Sequence, residues 1–556
     1  MRIRAGVCFC LAVLGSAPAF GQAKFDVADV HNSPRSNLPA VRGPFFSSGR
    51  YELRYATMLD MIRMAYDLEP EKVQGGPSWL EMDRFDVFAK IPASSTVESR
   101  RLMLQDLLAE RFKLVTHKDS RPLPAWALSA GTHKLKKAEG EGQQGCNFEV
   151  QNQPQGNPGG GPITLPTIQY TCRSITMEAF TAGMLNMPGA AQYMNNRLVV
   201  DRTKLEGVWD FNFRYTPRMP AGIPTTGESI PFFDALEKQL GLKLESAMVP
   251  MPVIAVDSVN RKPTANSEEA MKSFPPLPTE FDVASLKPTD PNAVPGRGGA
   301  QPRPDIRNGR LYLPRISVKN LVMIAWDING DEFLVGAPKW MDDDRYDILA
   351  KAPEGVAMGD LTPSRNMVPV NIDALRPMIK ALLVERFQMK VHMEDRPLTA
   401  YILQAAKPKL KKADPNSRTK WQEGPAPENE GNKNVNVALG RLVTVQNMTM
   451  AQFADMLPGI APGYLRTNVA DATGLEGGWD FTFSFSPIGA LNFNRPQAGD
   501  GGAPAAGGAV PEASEPNGTI SLFDAMVKQL GLKLDTTKRQ VPVLVIDKVE
   551  RKPIEN

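Results

Sequence analysis

The chain has 556 residues, of which 42% are hydrophobic and 22% charged, a composition that excludes an intrinsically disordered protein. The formal net charge is +3, and loss of Arg2 and Arg4 with a leader would leave +1, without the basic excess that general nucleic-acid binding needs. The length exceeds what one hydrophobic core supports and predicts about three or four domains.

The first 23 residues have the pattern of a secretory signal peptide. Arg2 and Arg4 form a charged start, residues 7–19 are mostly apolar, and Gly21 and Ala23 supply small residues at the cleavage positions. We therefore predict cleavage after Ala23 and an exported protein, either periplasmic or secreted. The apolar run is shorter than a membrane span of about 20 residues, and no later stretch is long and apolar enough, so we expect no transmembrane segment after cleavage.

The rest of the sequence consists of two similar halves. The matching segments are residues 25–30 and 281–286, 110–112 and 385–387, 205–211 and 475–481, and 238–244 and 528–534. This self-similarity predicts a tandem duplication, with a first copy at 24–264, a linker at 265–278 and a second copy at 279–556. Residues 494–517 are rich in Pro, Gly and Ala and are predicted to be a flexible loop within the second copy.

Helix and strand patterns alternate within each half of a copy. Thr57 and Ser317 are candidate helix N-caps. The first half predicts a helix after Thr57, a strand at 84–90, a helix at about 99–111 and a strand pair at 112–117 and 125–128. The second half predicts a helix near 176–185, a strand at 208–214, a helix at 231–240 ended by Gly241, and strands at 242–245 and 252–257. We predict an α+β fold of four small units, two in each copy, each with two helices on an antiparallel sheet.

Cysteine usage fits an exported protein. Cys8 and Cys10 lie in the predicted signal peptide, which leaves Cys146 and Cys172 in the mature chain. Two cysteines in an exported chain favour one disulfide, here a local clamp in the first copy, because the second copy has no cysteine.

His117 and His392 occupy the same place in the two copies, with Asp119 or Asp395 close by in sequence. A His–Asp pair could orient an imidazole for acid–base chemistry or metal binding. The alternative, which we favour, is an exposed strand residue beside a turn. The sequence contains no His-Glu-x-x-His or other compact ligand set, so we expect neither a metal nor a cofactor.

Four carboxylates are also shared between the copies. They are Asp86 with Asp347, Asp201 with Asp471, Asp210 with Asp480, and Asp257 with Asp547. Paired carboxylates could hydrolyse glycosidic bonds. However, Asp86 and Asp210 sit at matching places in the two half-repeats, each after an aromatic residue, which favours one structural device used four times.

Trp79 and Trp340 each follow a Gly-x-Pro turn before a strand. A tryptophan on such a turn can stack on a sugar, a peptide or a partner side chain. The alternative, which we favour, is that it closes the end of a hydrophobic core. The sequence carries neither the Gly-x-Ser-x-Gly pattern of a nucleophilic serine nor a phosphate-binding loop.

The shared motifs together resemble a known family. They are similar to those of an uncharacterised exported family that is expanded in soil bacteria, a domain of unknown function. The motifs are an FDVAS-like start, a Gly-Gly-Pro-x-Trp-like turn, Arg-Phe/Tyr-Asp, Glu-Arg-Phe and Gln-Leu-Gly-Leu-Lys-Leu. The resemblance covers both copies. Some relatives are fused to membrane zinc metallopeptidases of the BlaR antibiotic-sensor type, which implies a sensing or partner-binding module outside the cytoplasm. The family has no established activity to carry over.

Three hypotheses of function follow from the sequence. The leading one is a non-enzymatic exported module that binds an envelope protein, a peptide or a glycan through sheet edges or through the Trp79 and Trp340 turns. The second is a secreted hydrolase that uses the shared carboxylates or His117 and His392. The third is a periplasmic scaffold. The sequence leaves the ligand and the oligomeric state open.

Overall fold

The structure is a computed structural model and describes residues 23–34, 40–47, 49–92, 94–138, 144–151, 163–194, 197–217, 225–226, 229–274, 278–290, 303–356, 358, 370–425, 440–488 and 520–554. The signal peptide up to residue 22 and the flexible loop at 494–517, both predicted above, lie outside these residues. Within the described part, no helix has the length and apolar character needed to cross a membrane.

The first copy alternates strands with short helices. Its strands are β1 (Ala28–Asn32), β2 (Arg42–Ser47), β3 (Arg50–Thr57), β4 (Val73–Gly75), β5 (Arg84–Lys90), β6 (Val115–Ala130), β7 (Lys136–Lys137), β8 (Gly145–Gln151), β9 (Ile163–Thr164), β10 (Thr167–Ile175), β11 (Val199–Asp201), β12 (Trp209–Tyr215), β13 (Thr225–Thr226) and β14 (Leu242–Ser258). Its helices are α1 (Met58–Tyr66), α2 (Val97–Phe112), α3 (Met177–Gly183), α4 (Ala191–Met194) and α5 (Phe232–Ala235), which continues as a π-helical turn, Leu236–Leu240.

The second copy repeats this order after helix α6 (Glu268–Ser273). Its strands are β15 (Val283–Pro288), β16 (Asp305–Arg307), β17 (Arg310–Ser317), β18 (Leu334–Val335), β19 (Arg345–Lys351), β20 (Lys390–Ala405), β21 (Lys411–Lys412), β22 (Lys420–Pro425), β23 (Arg441–Met448), β24 (Val469–Asp471), β25 (Trp479–Phe485) and β26 (Leu532–Lys548). Its helices are α7 (Val318–Ala325), α8 (Trp340–Asp343), α9 (Ile372–Arg386), α10 (Met450–Ile460) and α11 (Leu522–Ala525), which again continues as a π-helical turn, Met526–Leu530.

Each copy contains three four-stranded sheets. In the first copy, unit 1 has the strand order β1-β5-β3-β2, unit 2 has β7-β12-β10-β8, and a central sheet has β11-β6-β14-β4. In the second copy, unit 3 has β15-β19-β17-β16, unit 4 has β21-β25-β23-β22, and the central sheet has β18-β26-β20-β24. Each unit has its own hydrophobic core. The predicted α+β fold and the tandem layout are confirmed.

The predicted strand pairs at the end of each half are wrong. Residues 115–130 form one 16-residue strand, β6, which pairs along its length with the 17-residue strand β14 from the other half of the copy. Pro122 lies opposite Pro250 in the middle of this ribbon. The short strands β11 and β4 pair only with its ends, and proline is tolerated where a strand has no partner on its second side. The central sheet is also mixed, because β4 pairs in parallel with β14 and β11 pairs in parallel with β6.

The same structural motif, which we call the aspartate device, recurs in all four units: an aspartate carboxylate accepts a backbone N–H from a bulge in the neighbouring strand. The strand before the first helix of each unit has a register shift, and a residue there has a positive φ between 46° and 54°. Its backbone N–H donates to an aspartate Oδ1 on the neighbouring strand. The pairs are Tyr55 and Asp86, Ser174 and Asp210, Arg315 and Asp347, and Asn447 and Asp480, at 2.8–2.9 Å. The carboxylate thus stabilises a left-handed conformation that costs a non-glycine residue about 1–2 kcal/mol.

This bulge sets the start of the helix that follows. Two residues later stands the N-cap, which is Thr57, Thr176, Ser317 or Thr449, and its hydroxyl oxygen accepts a backbone N–H of the first turn. The N-cap predictions at Thr57 and Ser317 are therefore confirmed. At the other end of the fold, Gly241 has a φ of 70°, as predicted for a left-handed C-cap, and a Cβ there would collide with the carbonyl of Thr132.

The segment predicted as a linker is partly built into the first copy. Asn266 accepts from the backbone N–H of Val30 at 2.9 Å and donates to its carbonyl at 3.1 Å. Its amide thereby takes the place of a neighbouring strand along the edge of β1. The buried guanidinium of Arg111 donates to the carbonyls of Ala28 and Thr264. Helix α6 follows directly and contacts β1.

The predicted disulfide between Cys146 and Cys172 is present. The two residues lie directly opposite each other on β8 and β10, with their Cα atoms 4.1 Å apart. In the second copy the corresponding pair before the bulge is Trp421 and Val445. Val445 is fully buried, and Trp421 packs against the core of unit 4. An apolar pair therefore takes the place of the disulfide in the second copy.

We expect Asp480→Ala to destabilise unit 4 by about 1–3 kcal/mol, because the Asn447 N–H loses its acceptor. Asp480→Asn keeps an acceptor oxygen and should cost less. Amide hydrogen exchange in β23 and α10 measures the effect locally. Asp234→Ala, which removes a carboxylate from an exposed i,i+4 ion pair with Lys238, is the control and should cost no more than about 0.5 kcal/mol. Equal protection in Asp480→Ala and wild type would contradict the role of the device.

Replacing Cys146 by Ala and Cys172 by Val should lower the free energy of unfolding of the first copy by about 2–4 kcal/mol, since the bond closes a loop with a sequence separation of 26. Urea unfolding of the oxidised protein measures this loss. Cys146→Trp with Cys172→Val installs the residues of the second copy and should recover part of the loss. If reduced and oxidised wild type unfold at the same urea concentration, the disulfide contributes nothing to stability.

Candidate functional site

The two histidines each pair with an aspartate from the opposite strand of their ribbon. In the first copy, Nδ1 of His117 on β6 lies 2.8 Å from Oδ1 of Asp257 on β14. In the second copy, Nδ1 of His392 on β20 lies 2.9 Å from Oδ2 of Asp547 on β26. The expected partners Asp119 and Asp395 were therefore wrong. Asp119 instead accepts from the backbone N–H of Ser120 and from the guanidinium of Arg121.

Both dyads are open to solvent. The side chains of His117 and Asp257 are 53% and 42% exposed, and those of His392 and Asp547 are 50% and 45% exposed. The carboxylate orients the imidazole, so that the other ring nitrogen could take up a proton from a bound molecule. Within the described ranges, no three His, Cys, Asp or Glu side chains come together in a way that could hold a metal ion.

The other shared carboxylates are engaged by the backbone. The bulge N–H groups donate to Asp86, Asp210, Asp347 and Asp480, as described above. Asp201 and Asp471 each accept the backbone N–H of the threonine two residues on, at 2.8 and 2.9 Å. These contacts support the structural interpretation of the shared aspartates over a catalytic one.

Trp79 and Trp340 close the ends of their cores. Trp79 lies in a 3₁₀ turn, Ser78–Glu81, is half-buried, and meets Phe85 edge-on at a ring distance of 6.4 Å. Trp340 begins α8, is also half-buried, and lies 6.3 Å from the ring of Phe387. Each ring packs against the core of its own unit, which favours the structural role considered above.

The Trp79 turn also docks the first copy onto the second. The backbone N–H of Thr419 donates to the carbonyl of Ser78 at 2.9 Å, and Glu81 lies 3.3 Å from Arg418. Met82 packs against the core of unit 4. Burial raises the pKa of Glu81, although the nearby Arg418 opposes this shift. This turn is therefore an internal interface and not a free ligand surface.

A second contact between the copies lies on β2. The guanidinium of Arg42 reaches both carboxylate oxygens of Asp373 at 2.7 Å and lies over the ring of Tyr55 at 4.7 Å. The Arg42 and Asp373 side chains are only 15% and 13% exposed. Both contacts come from one nitrogen, Nη1 of Arg42, and this half-buried ion pair, together with the Trp79 turn, gives the two copies a defined relative position.

The edge strand β8 is a candidate recognition feature that the sequence interpretation missed. Among the residues that the structure describes, β8 pairs with β10 alone, so that its other side is a sheet edge. Phe148 and Val150 on β8 are 51% and 38% exposed. The Phe148 ring stacks on Tyr170 at 6.4 Å, and Tyr170 lies 5.8 Å from Phe213 in the core. An aromatic row thus runs from the core of unit 2 to an open sheet edge. The alternation of apolar residues at 146, 148 and 150 was the available signal.

The corresponding edge in the second copy is protected. Strand β22 has Glu423 and Pro425 where β8 has Phe148 and Val150, as judged from their registers against the bulge. Glu423 forms an ion pair with Arg441 of the neighbouring strand. Charged residues and proline are the usual means by which proteins block the pairing of a sheet edge with another chain. Strand β8 has no proline, and its one charged residue is Glu149, between Phe148 and Val150.

Comparison with known proteins supports the duplication. The model of a family described as a protein of unknown function, DUF3738, matches residues 59–259 and 319–549. No curated protein and no solved structure matches the chain. The two matched segments fall one in each copy and together cover most of the chain, so the protein belongs to the DUF3738 family and carries its domain twice.

Proposed function

We propose that the protein is an exported, non-enzymatic binding or sensing module that recognises an extended segment of an envelope protein or peptide. The observation that carries this proposal is the exposed edge of β8, with Phe148 and Val150 beside it. The proposed export is supported by the sequence pattern of residues 1–23 and agrees with the disulfide of the first copy.

Strand addition is the recognition mode that fits this edge. A peptide that extends the sheet beyond β8 would bond to its outward backbone groups, and this contact is independent of the peptide sequence. Selectivity would come from side chains that pack against Phe148, Val150 and Tyr170. A peptide matches both features, whereas a glycan would satisfy only the exposed rings.

The test replaces β8 residues by those of the second copy. Peptides that bind the mature protein, residues 24–556, are first selected from a displayed random library. We expect Phe148→Glu with Val150→Pro to weaken their binding by at least about tenfold, because strand pairing and apolar contact are lost together. Fluorescence polarisation measures the affinities. Leu102→Glu, a change at an apolar residue of α2 that is 45% exposed, is the matched control.

Two outcomes would contradict this proposal. One is a library that yields no peptide with saturable binding, which would favour the scaffold hypothesis. The other is a set of peptides that bind the wild type and the β8 variant equally, which would place the site elsewhere.

A hydrolase remains the second candidate, because the same His–Asp dyad occurs in both copies between strands far apart in sequence. Under the binding proposal, His117→Ala with His392→Ala should change the free energy of unfolding by no more than about 1 kcal/mol, since both pairs are exposed. A panel of ester, peptide and glycoside substrates is the accompanying measurement. Hydrolysis by the wild type that the double variant loses would establish the enzyme instead.

A further inference from the structure

A groove in the first copy combines an open cavity with two basic side chains. It lies on the central sheet where β6, β11 and β14 meet, and its volume is about 700 Å³. Ala127, Ser129 and Ala247 form its floor, and Arg202 and Lys204 stand in the loop after β11. The size falls within the range of about 300–1,000 Å³ that is usual for small-molecule sites.

The groove has a small excess of positive charge only when the neighbouring Lys243 is counted. Its lining carries Arg202 and Lys204 against Asp201 and Glu245, and Lys243 pairs with Glu245 at 2.7 Å. Asp201 accepts the Thr203 N–H at 2.8 Å and keeps its charge. Arg202 and Lys204 are exposed, and neither forms an ion pair with any described residue. An anion entering the groove would therefore meet two cations with Asp201 as the one carboxylate of the lining that has no ion-pair partner among the described residues.

The second copy shows the same loop without these features. Ala472 and Gly474 stand in place of Arg202 and Lys204, although the backbone bonds of the two loops agree. Leu205 and Leu475 each donate to the threonine hydroxyl two residues earlier, at 3.2 Å. The floor differs as well, because Ile402 and Gln404 replace Ala127 and Ser129. The two basic loop residues and the small floor residues thus occur together in the first copy, and both are replaced in the second.

The conformation of Lys204 supports a role for its side chain. Its φ is 58°, and that of Gly474 is 67°. Glycine adopts this left-handed conformation freely, whereas other residues incur a cost of about 1–2 kcal/mol. The first copy thus carries lysine at a position where the fold favours glycine, and such strained residues concentrate at functional sites.

We propose that this groove is a binding site for a small anionic ligand that carries carboxylate or phosphate groups. Arg202 offers a planar fork of donors to one acidic group, and Lys204 a second charge beside it. The small residues of the floor leave room for the body of the ligand. This site is separate from the β8 edge and does not depend on the peptide-binding proposal.

The test uses inorganic phosphate and citrate as probes in isothermal titration calorimetry of the full mature chain. We expect at least one of them to bind saturably, with an affinity that falls as salt is raised. Arg202→Ala with Lys204→Gly should weaken this binding by at least about tenfold. The double variant should keep its fold, because it installs the residues of the second copy and glycine relieves the positive φ. The probe that binds more tightly identifies the acidic group.

Two controls separate the groove from a general charge effect. Lys411→Ala with Lys552→Ala removes two exposed lysines of the second copy and should leave binding unchanged. Ala472→Arg with Gly474→Lys should create no second site, because Ile402 and Gln404 occupy the floor there. Saturable binding of neither probe, or equal binding by the wild type and the Arg202→Ala/Lys204→Gly variant, would overturn the proposal.

Discussion

The hydrogen bond between an aspartate and the backbone of a strand bulge is the constraint on which each unit depends. The carboxylate offsets a backbone conformation that Tyr55, Ser174, Arg315 and Asn447 would otherwise avoid. The bulge turns the chain out of the sheet, and the N-cap two residues later begins a helix at a fixed place above it. Because the device is the same four times, helix and sheet meet in the same way in all four cores.

The long two-stranded ribbons prevent the two halves of a copy from folding as independent domains. β6 belongs to the first half of its copy and β14 to the second, yet each has the other as its main partner. Neither half can complete its sheet alone, so a copy is the smallest unit with a complete set of sheets. The bond from Ser78 to Thr419 and the Arg42–Asp373 pair then join one copy to the other. The duplication therefore acts as a fixed pair of domains.

Local chemistry was predictable from the sequence, and distant pairing was not. Thr57, Ser317 and Gly241 act within a few residues of themselves, and Cys146 had one possible partner in the mature chain. By contrast, the partner of His117 lies 140 residues away, and sequence proximity pointed to Asp119 instead. The prolines in β6 broke the strand pattern although the ribbon accommodates them. β8 was missed because it borders a Gly-rich segment.

The differences between the copies are more informative about function than their similarities. Where the second copy has an apolar core pair, a blocked edge and a glycine loop, the first has a disulfide, an open edge and a lysine with positive φ. Each feature of the second copy is the one that favours a stable, closed domain. In the first copy, by contrast, Phe148 and Val150 on the sheet edge and Lys204 in its loop are exposed. This division favours a first copy specialised for recognition and a second copy that supports it.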